Sequence, residues 1–215
     1  LFALFQDNGA WGWLDQVMLG QLNIDGFGRL DQDDDGFGWH NYNNGNAFND
    51  VEFDRYNGIL IAGSGQGFAQ QYNNNLERLE AYIANGGSVY YEMGDPNQQI
   101  ICAGGIRNNI QHWEDIGVQQ VSPFEEDENY NRFAQICWEF QNDGDNNLWE
   151  EEHRIQGSAW EHSCFNEDQF EEGVEDGTLD WYQVFALADD NNQPGWVMYG
   201  IGRGLVFVNG HPLGH

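Results

Sequence analysis

Asp31, Asp33 and Asp35 alternate along Asp31-Gln32-Asp33-Asp34-Asp35-Gly36, a spacing that lets three carboxylates converge on one hard cation while the glycine permits a sharp turn. Asp31, Asp33 and Asp35 are thereby candidate calcium ligands. The twelfth position is Tyr42 in place of a bidentate Glu and no helices flank the loop, which argues against a helix-loop-helix calcium site; an acidic surface turn is the competing reading. Gly63-Ser64-Gly65-Gln66-Gly67 follows an apolar run, at the kind of edge where open α/β sheets take ligands. It lacks the Lys-Ser/Thr of a phosphate-cradling loop, and Ser64 is not centred in Gly-x-Ser-x-Gly as an elbow nucleophile would be. Gly63, Ser64, Gly65 and Gln66 are therefore read as a tight turn that doubles as a candidate ligand edge. His153, His162, His211 and His215 show no metal-ligand spacing on a helix, and they are read as satisfied or exposed histidines. Cys102, Cys137 and Cys164 are too few for a disulfide scaffold and lack zinc-site spacing; one disulfide and one free thiol is the most they allow. Trp11, Trp13, Trp39, Trp149 and Trp160 have faces that stack on sugar rings, and equally belong in a core.

The composition bounds what such groups can serve. A formal charge of −29 repels nucleic acid and anionic lipid, and leaves cations and neutral sugars as the compatible partners. No lysine is present, and Thr178 is the single threonine, where average usage gives roughly a dozen of each. With 14 Phe and nine Trp the chain has apolar surface enough for a core, and its 28 Gly demand many turns. No linker divides residues 1–215, which predicts one domain, a mature product or fragment of a longer chain; no apolar run predicts membrane insertion.

The elements that must position these residues follow from periodicity. Leu1 to Gln6 (LFALFQ) is a buried-strand run, and Leu14, Val17, Met18 and Leu22 mark a helix. From Asn23 to Val51 any strand is short. Gly58 to Ala62 (GILIA) reads as a parallel strand; Leu76, Leu79, Tyr82 and Ile83 form a helical stripe that Asn85-Gly86-Gly87 stops; and Ser88 to Met93 (SVYYEM) is the next strand. This is a βαβ unit, expected to be right-handed. Between Gly94 and Glu152 only short pieces such as Phe133 to Phe140 can be placed. Trp181 to Ala188, Trp196 to Ile201 and Leu205 to Asn209 read as three strands, the last two joined by Gly202-Arg203-Gly204.

The segment FDRYNGILIAGSGQGFAQQYNNNLERLEAYIANGGSVYYEMGD (residues 53 to 95) resembles the centre of class I glutamine amidotransferase-like domains of bacterial secreted and cell-surface proteins. FALFQDNGAWGWLDQVMLGQLNI (2 to 24), IQGSAWEHSCF (155 to 165) and GWVMYGIGRGLVFVNGHPLGH (195 to 215) are similar to further pieces of such domains, in the right order, and together they cover about half the chain. The resemblance implies a three-layer, flavodoxin-like, mostly parallel sheet with helices on both faces and a C-terminal antiparallel strand pair. In catalytic members it also implies a Cys on the turn after the Ser88–Met93 strand and a His-Pro-Glu after the last strand, because the imidazole must take the thiol proton and the carboxylate must orient the ring. Here the turn reads Met93-Gly94-Asp95-Pro96 and the tail His211-Pro212-Leu213, so the His stands without nucleophile or carboxylate. Asp95 and His211 join Gly63 to Gln66 as candidate ligand-binding residues, with no catalytic residue.

The expectation is a non-catalytic extracellular or cell-surface module for assembly or adhesion, forming a homo-oligomer or filament, with calcium as the only ion implied. Carbohydrate binding or cell-wall processing, with glycans as partners, is the alternative. A residual hydrolase using Cys102 or Cys164 with His211 is the third reading.

Overall fold

The computed structural model describes residues 1–6, 39–42, 46–62, 66–93, 100–111, 118–120, 163–188 and 193–210. The apolar runs become the centre of one sheet. β1 (Phe2–Gln6), β3 (Gly58–Ala62) and β4 (Ser88–Glu92) lie side by side and parallel, β1 and β3 buried at all but one position and β4 at all but Ser88 and Tyr90. β2 (Trp39–Tyr42) adds in parallel outside β1, and β10 (Gly204–Asn209) adds in parallel beside β4. β9 (Pro194–Ile201), β8 (Trp181–Ala188) and β6 (Val118–Gln120) then continue the sheet antiparallel, giving the order β2-β1-β3-β4-β10-β9-β8-β6 among the described residues. β5 (Asn108–Gln111) and β7 (Ser163–Phe165) pair antiparallel in a separate ribbon. The mixed α/β class and the antiparallel C-terminal strands are as the sequence predicts.

Side-chain alternation gives the sheet two distinct faces. On one, Ala3, Phe5, Ile59, Ile61, Val89, Tyr91, Val206, Val208, Val197 and Tyr199 form a continuous buried layer. The described helices pack against this face. α1 (Ala47–Asp50) stacks Phe48 on Phe5 with ring centroids 4.2 Å apart, and α2 (Gln66–Asn74) sets Tyr72 edge-on to Tyr91. α3 (Leu76–Ala84) buries Leu79, Tyr82 and Ile83, and α4 (Asp168–Asp176) places Phe170 on Tyr182 and Tyr199. The opposite face carries Leu4, Leu60, Tyr90 and Phe207, with Tyr90 and Phe207 stacked at 5.3 Å.

The predicted helix stop forms as its residues dictate. Gly87 N donates to Tyr82 O (3.0 Å) and Gly86 N to Ile83 O (2.8 Å), while Gly86 takes φ +111°, a conformation that glycine adopts without strain. The chain then enters β4 at the level of β10. At that crossing Gly204 lies so close that an added Cβ would meet Ile83 O at 2.0 Å and Gly87 O at 2.4 Å. Both obstacles are backbone, so no side chain can be accommodated there.

The end of α1 is held by Arg78 of α3. Its guanidinium donates to Phe48 O (2.9 Å), Val51 O (2.7 Å) and Asn75 Oδ1 (2.7 Å), and it lies 5.1 Å from the centre of the Phe53 ring. One cation thus satisfies two helix-terminal carbonyls that would otherwise lack partners.

Candidate functional site

The three strands of the central run end on polar residues. Gln6 closes β1, Glu92 closes β4 and Asn209 closes β10. Register places them level with one another: Gln6 pairs with Ala62, and Asn209 pairs with Glu92 and Trp196. Because β3 and β4 pair Leu60 with Tyr90 and Ile61 with Tyr91, Ala62 continues the row between Gln6 and Glu92. The result is one line across the C-terminal rim, Gln6, Ala62, Glu92, Asn209, Trp196, on the face opposite the described helices. Adjacent strands are about 4.8 Å apart, which sets Glu92 beside Asn209 and about 10 Å from Gln6.

All three polar side chains are buried, with exposures of 2%, 4% and 0% for Gln6, Glu92 and Asn209. Burial of an amide or carboxylate costs about 1–3 kcal/mol or more unless hydrogen bonds replace those to water. Asn209 Nδ2 donates to Tyr90 Oη (2.8 Å), and Asn108 Nδ2, reaching in from β5, donates to Met93 O (3.1 Å). Met93 N in turn donates to Asn209 O (2.7 Å), which extends the β4–β10 ladder one residue past Glu92. Chemically the row holds two amides and one carboxylate in a buried, hydrogen-bonded setting.

The ligand-binding residues expected from the sequence follow closely on this row in the chain. Gly63 follows Ala62 directly, Asp95 comes three residues after Glu92, and His211 two after Asn209. Gly63, Ser64, Gly65, Asp95, His211 and the calcium candidates Asp31, Asp33 and Asp35 lie outside the described residues, as do the Trp13–Leu22 helix and Phe133 to Phe140. Gln66 is the first residue of α2 and is exposed. Gln6, Glu92 and Asn209 were missed although a signal existed: each is the polar residue that ends an otherwise apolar run, in LFALFQ, SVYYE and LVFVN. Among the described residues no group of three His, Cys, Asp or Glu could hold a metal ion, and no helix is long and apolar enough to cross a membrane.

Cys102 is fully buried, and burial pushes its thiol far above the ordinary range. It sits in a loop that three buried tyrosines hold by its backbone. Tyr72 Oη donates to Ile101 O (2.7 Å), Tyr91 Oη accepts from Ala103 N (3.1 Å), and Tyr199 Oη donates to Ala103 O (2.7 Å). Cys102 is therefore a core thiol that burial holds in its protonated form.

A concavity lies on the helix face beside β2. It encloses about 560 Å³ and is lined by Tyr42, Asn46, Ala47, Asp50, Val51, Glu52, Arg55 and Tyr56. The Tyr56 hydroxyl, almost buried, is shared between His40 Nδ1 (2.7 Å) and Tyr42 Oη (2.6 Å). Burial and the nearby Arg55 lower the His40 pKa, so the imidazole is neutral at pH 7; burial and the Tyr42 hydrogen bond raise that of Tyr56.

These features define a mixed α/β protein whose parallel strands end on a polar rim. No protein-family model and no curated protein matches the chain. Two cytoplasmic proteins of Salmonella typhimurium, STM3548 and STM1381, are similar in structure over 97% of this chain and 87% of theirs, with TM-scores of 0.52 and 0.53 at 14% and 11% identity. At that identity the likeness shows the fold alone. A β-galactosidase of Rahnella sp. R3 gives a TM-score of 0.45 at 12% identity, with 98% of this chain aligned to 28% of that one. The expectation of an extracellular or cell-surface protein is corrected here, because these two Salmonella proteins, similar over 97% of this chain, are cytoplasmic. The physical reason for the misreading is that an acidic, turn-rich composition governs solubility and not compartment.

Proposed function

We propose that this chain is a non-catalytic, glutamine amidotransferase-like domain of flavodoxin-like layering that binds a small neutral polyol or sugar at the C-terminal rim of its sheet. The observation that carries this reading is the level row of Gln6, Glu92 and Asn209, three buried hydrogen-bonding side chains on three strands of one rim. Open α/β sheets take ligands at that rim, near the point where strand order reverses. Here the reversal lies between β1 and β3, and Gln6 stands on it.

The order β2-β1-β3-β4 followed by a fifth parallel strand supports the flavodoxin-like part of this reading. A second helical layer on the far face belongs to the same proposal, since Leu4, Ala62 and Phe185 of that face are buried and parallel strands are normally covered on both sides. Catalysis is not part of it. Buried Met93 follows β4 where a nucleophile would begin its turn, and Cys102 is locked in the core. A charge of −29 further disfavours phosphorylated ligands.

Calorimetric titration with neutral hexoses and with their 6-phosphates tests the reading. A neutral hexose should bind at least about tenfold tighter than its phosphate, and Asn209→Leu should abolish the binding. A tighter phosphate, or release of ammonia from glutamine, would overturn it.

A further inference from the structure

The groove beside β2 is separate from the rim row, since it lies across the sheet on the face that the helices cover. Its wall holds charges of both signs, Arg55 against Asp50 and Glu52. None of the three makes a side-chain hydrogen bond or ion pair among the described residues, although all line one cavity. That is notable in a chain with seven Arg, no Lys and 36 acidic residues, where a cation has many anions to pair with.

The floor of the groove is mostly aromatic and held by ring stacking and hydroxyl hydrogen bonds. Tyr42 is stacked on Phe5 at 4.8 Å, and its hydroxyl is fixed by the Tyr56 hydroxyl, which His40 holds from the other side. Val51 and Tyr56 are 8% and 5% exposed, so they offer an apolar surface that is already ordered. A wall with its rotamers fixed before binding takes a ligand with little further loss of side-chain entropy.

The charges select the ligand. A simple anion meets Asp50, Glu52 and the field of the whole acidic chain, whereas a simple cation meets Arg55. A molecule carrying both charges satisfies all three side chains at once. The guanidinium fork suits a carboxylate, and the two carboxylates suit an ammonium group. A volume of about 560 Å³ admits an amino acid with a large apolar side chain.

We propose that this groove is a binding site for a zwitterionic amino acid with an aromatic or large apolar side chain. Its carboxylate is held by Arg55, its ammonium by Asp50 and Glu52, and its side chain by Val51 and the tyrosines.

The test uses the full chain and three probes of one shape: L-phenylalanine, 3-phenylpropionate, which lacks the ammonium, and 2-phenylethylamine, which lacks the carboxylate. Calorimetry should give L-phenylalanine a dissociation constant of about 1 mM or below, with both truncated probes about tenfold weaker or more. Arg55→Gln, a change at an exposed residue, should bring L-phenylalanine down to the level of 2-phenylethylamine. Amide resonances of residues 46–56 should move on titration, while those of Gln6 and Asn209 should not. Equal binding of phenylalanine and phenylethylamine would mean a plain cation site and would overturn the proposal. So would the absence of binding by all three probes to the folded protein, or shifts confined to the rim.

Discussion

Replacing Arg78 with methionine keeps the aliphatic stem and removes the guanidinium, so the loss isolates what the charged head does. That head donates to Phe48 O at 2.9 Å, Val51 O at 2.7 Å and Asn75 Oδ1 at 2.7 Å, and it lies 5.1 Å from the Phe53 ring centre. A charge-assisted hydrogen bond is worth about 1.5–3 kcal/mol when shielded, and about half that with water nearby. Two carbonyls at the end of α1, discounted in this way because Arg78 is exposed, give about 2 kcal/mol, and the ring contact adds about 0.5 kcal/mol. For a chain of this size a loss near 2.5 kcal/mol lowers Tm by about 5–10 °C. Arg78→Lys should recover less than half, because one ammonium cannot serve both carbonyls with fork geometry. Urea denaturation of the three proteins in parallel, with unchanged m-values, measures this. A loss under about 0.5 kcal/mol for Arg78→Met would show that α1 is held by Phe48 packing alone, and the reasoning would be wrong.

Gly204→Ala should cost more than about 3 kcal/mol, or prevent folding, since its Cβ meets two backbone oxygens that have no room to retreat; thermal melting reads this directly. Tyr199→Phe leaves the Ala103 carbonyl without its 2.7 Å donor in a buried setting, and chemical denaturation should show a loss of about 1–3 kcal/mol. His40 has a folded pKa below 6.5, so the unfolded chain binds the proton more tightly. Its contribution to stability is complete above pH 6.5 and is lost as pH falls through the folded value, and His40→Gln should flatten the stability profile in that window. The charge of −29 destabilises the compact state by self-repulsion; raising NaCl from 0.1 M to 1 M shortens the screening length from about 10 Å to about 3 Å and should raise Tm, whereas a flat response would count against it.

Parts of this fold were legible wherever burial is simple. GILIA and SVYYE are buried on both faces, so they appear as apolar runs, and Gly86-Gly87 ends α3 by a backbone geometry that the residues themselves specify. β2 was not legible as a particular strand, because Trp-His-Asn-Tyr has no apolar run and is held by pairing with β1. α2 hides its stripe of Phe68, Ala69 and Tyr72 among Gln and Asn, and α4 buries only Phe170 and Gly173 in an acidic segment, too few to show a period. Local propensity is weak in both helices, and packing against Tyr91 and Tyr199 decides the outcome. At the site, the loops after the strands drew attention because Gly, Asp and His look functional. The row itself was overlooked because a single terminal Gln, Glu or Asn reads as the start of a loop until register sets three of them level.

The rim assignment is tested most directly at its own atoms. Side-chain amide resonances of Gln6 and Asn209 should shift together, in one saturable curve, as a neutral hexose is titrated into labelled protein. If those resonances stay fixed at hexose concentrations well into the millimolar range, the buried row is scaffold and the proposed binding function is wrong.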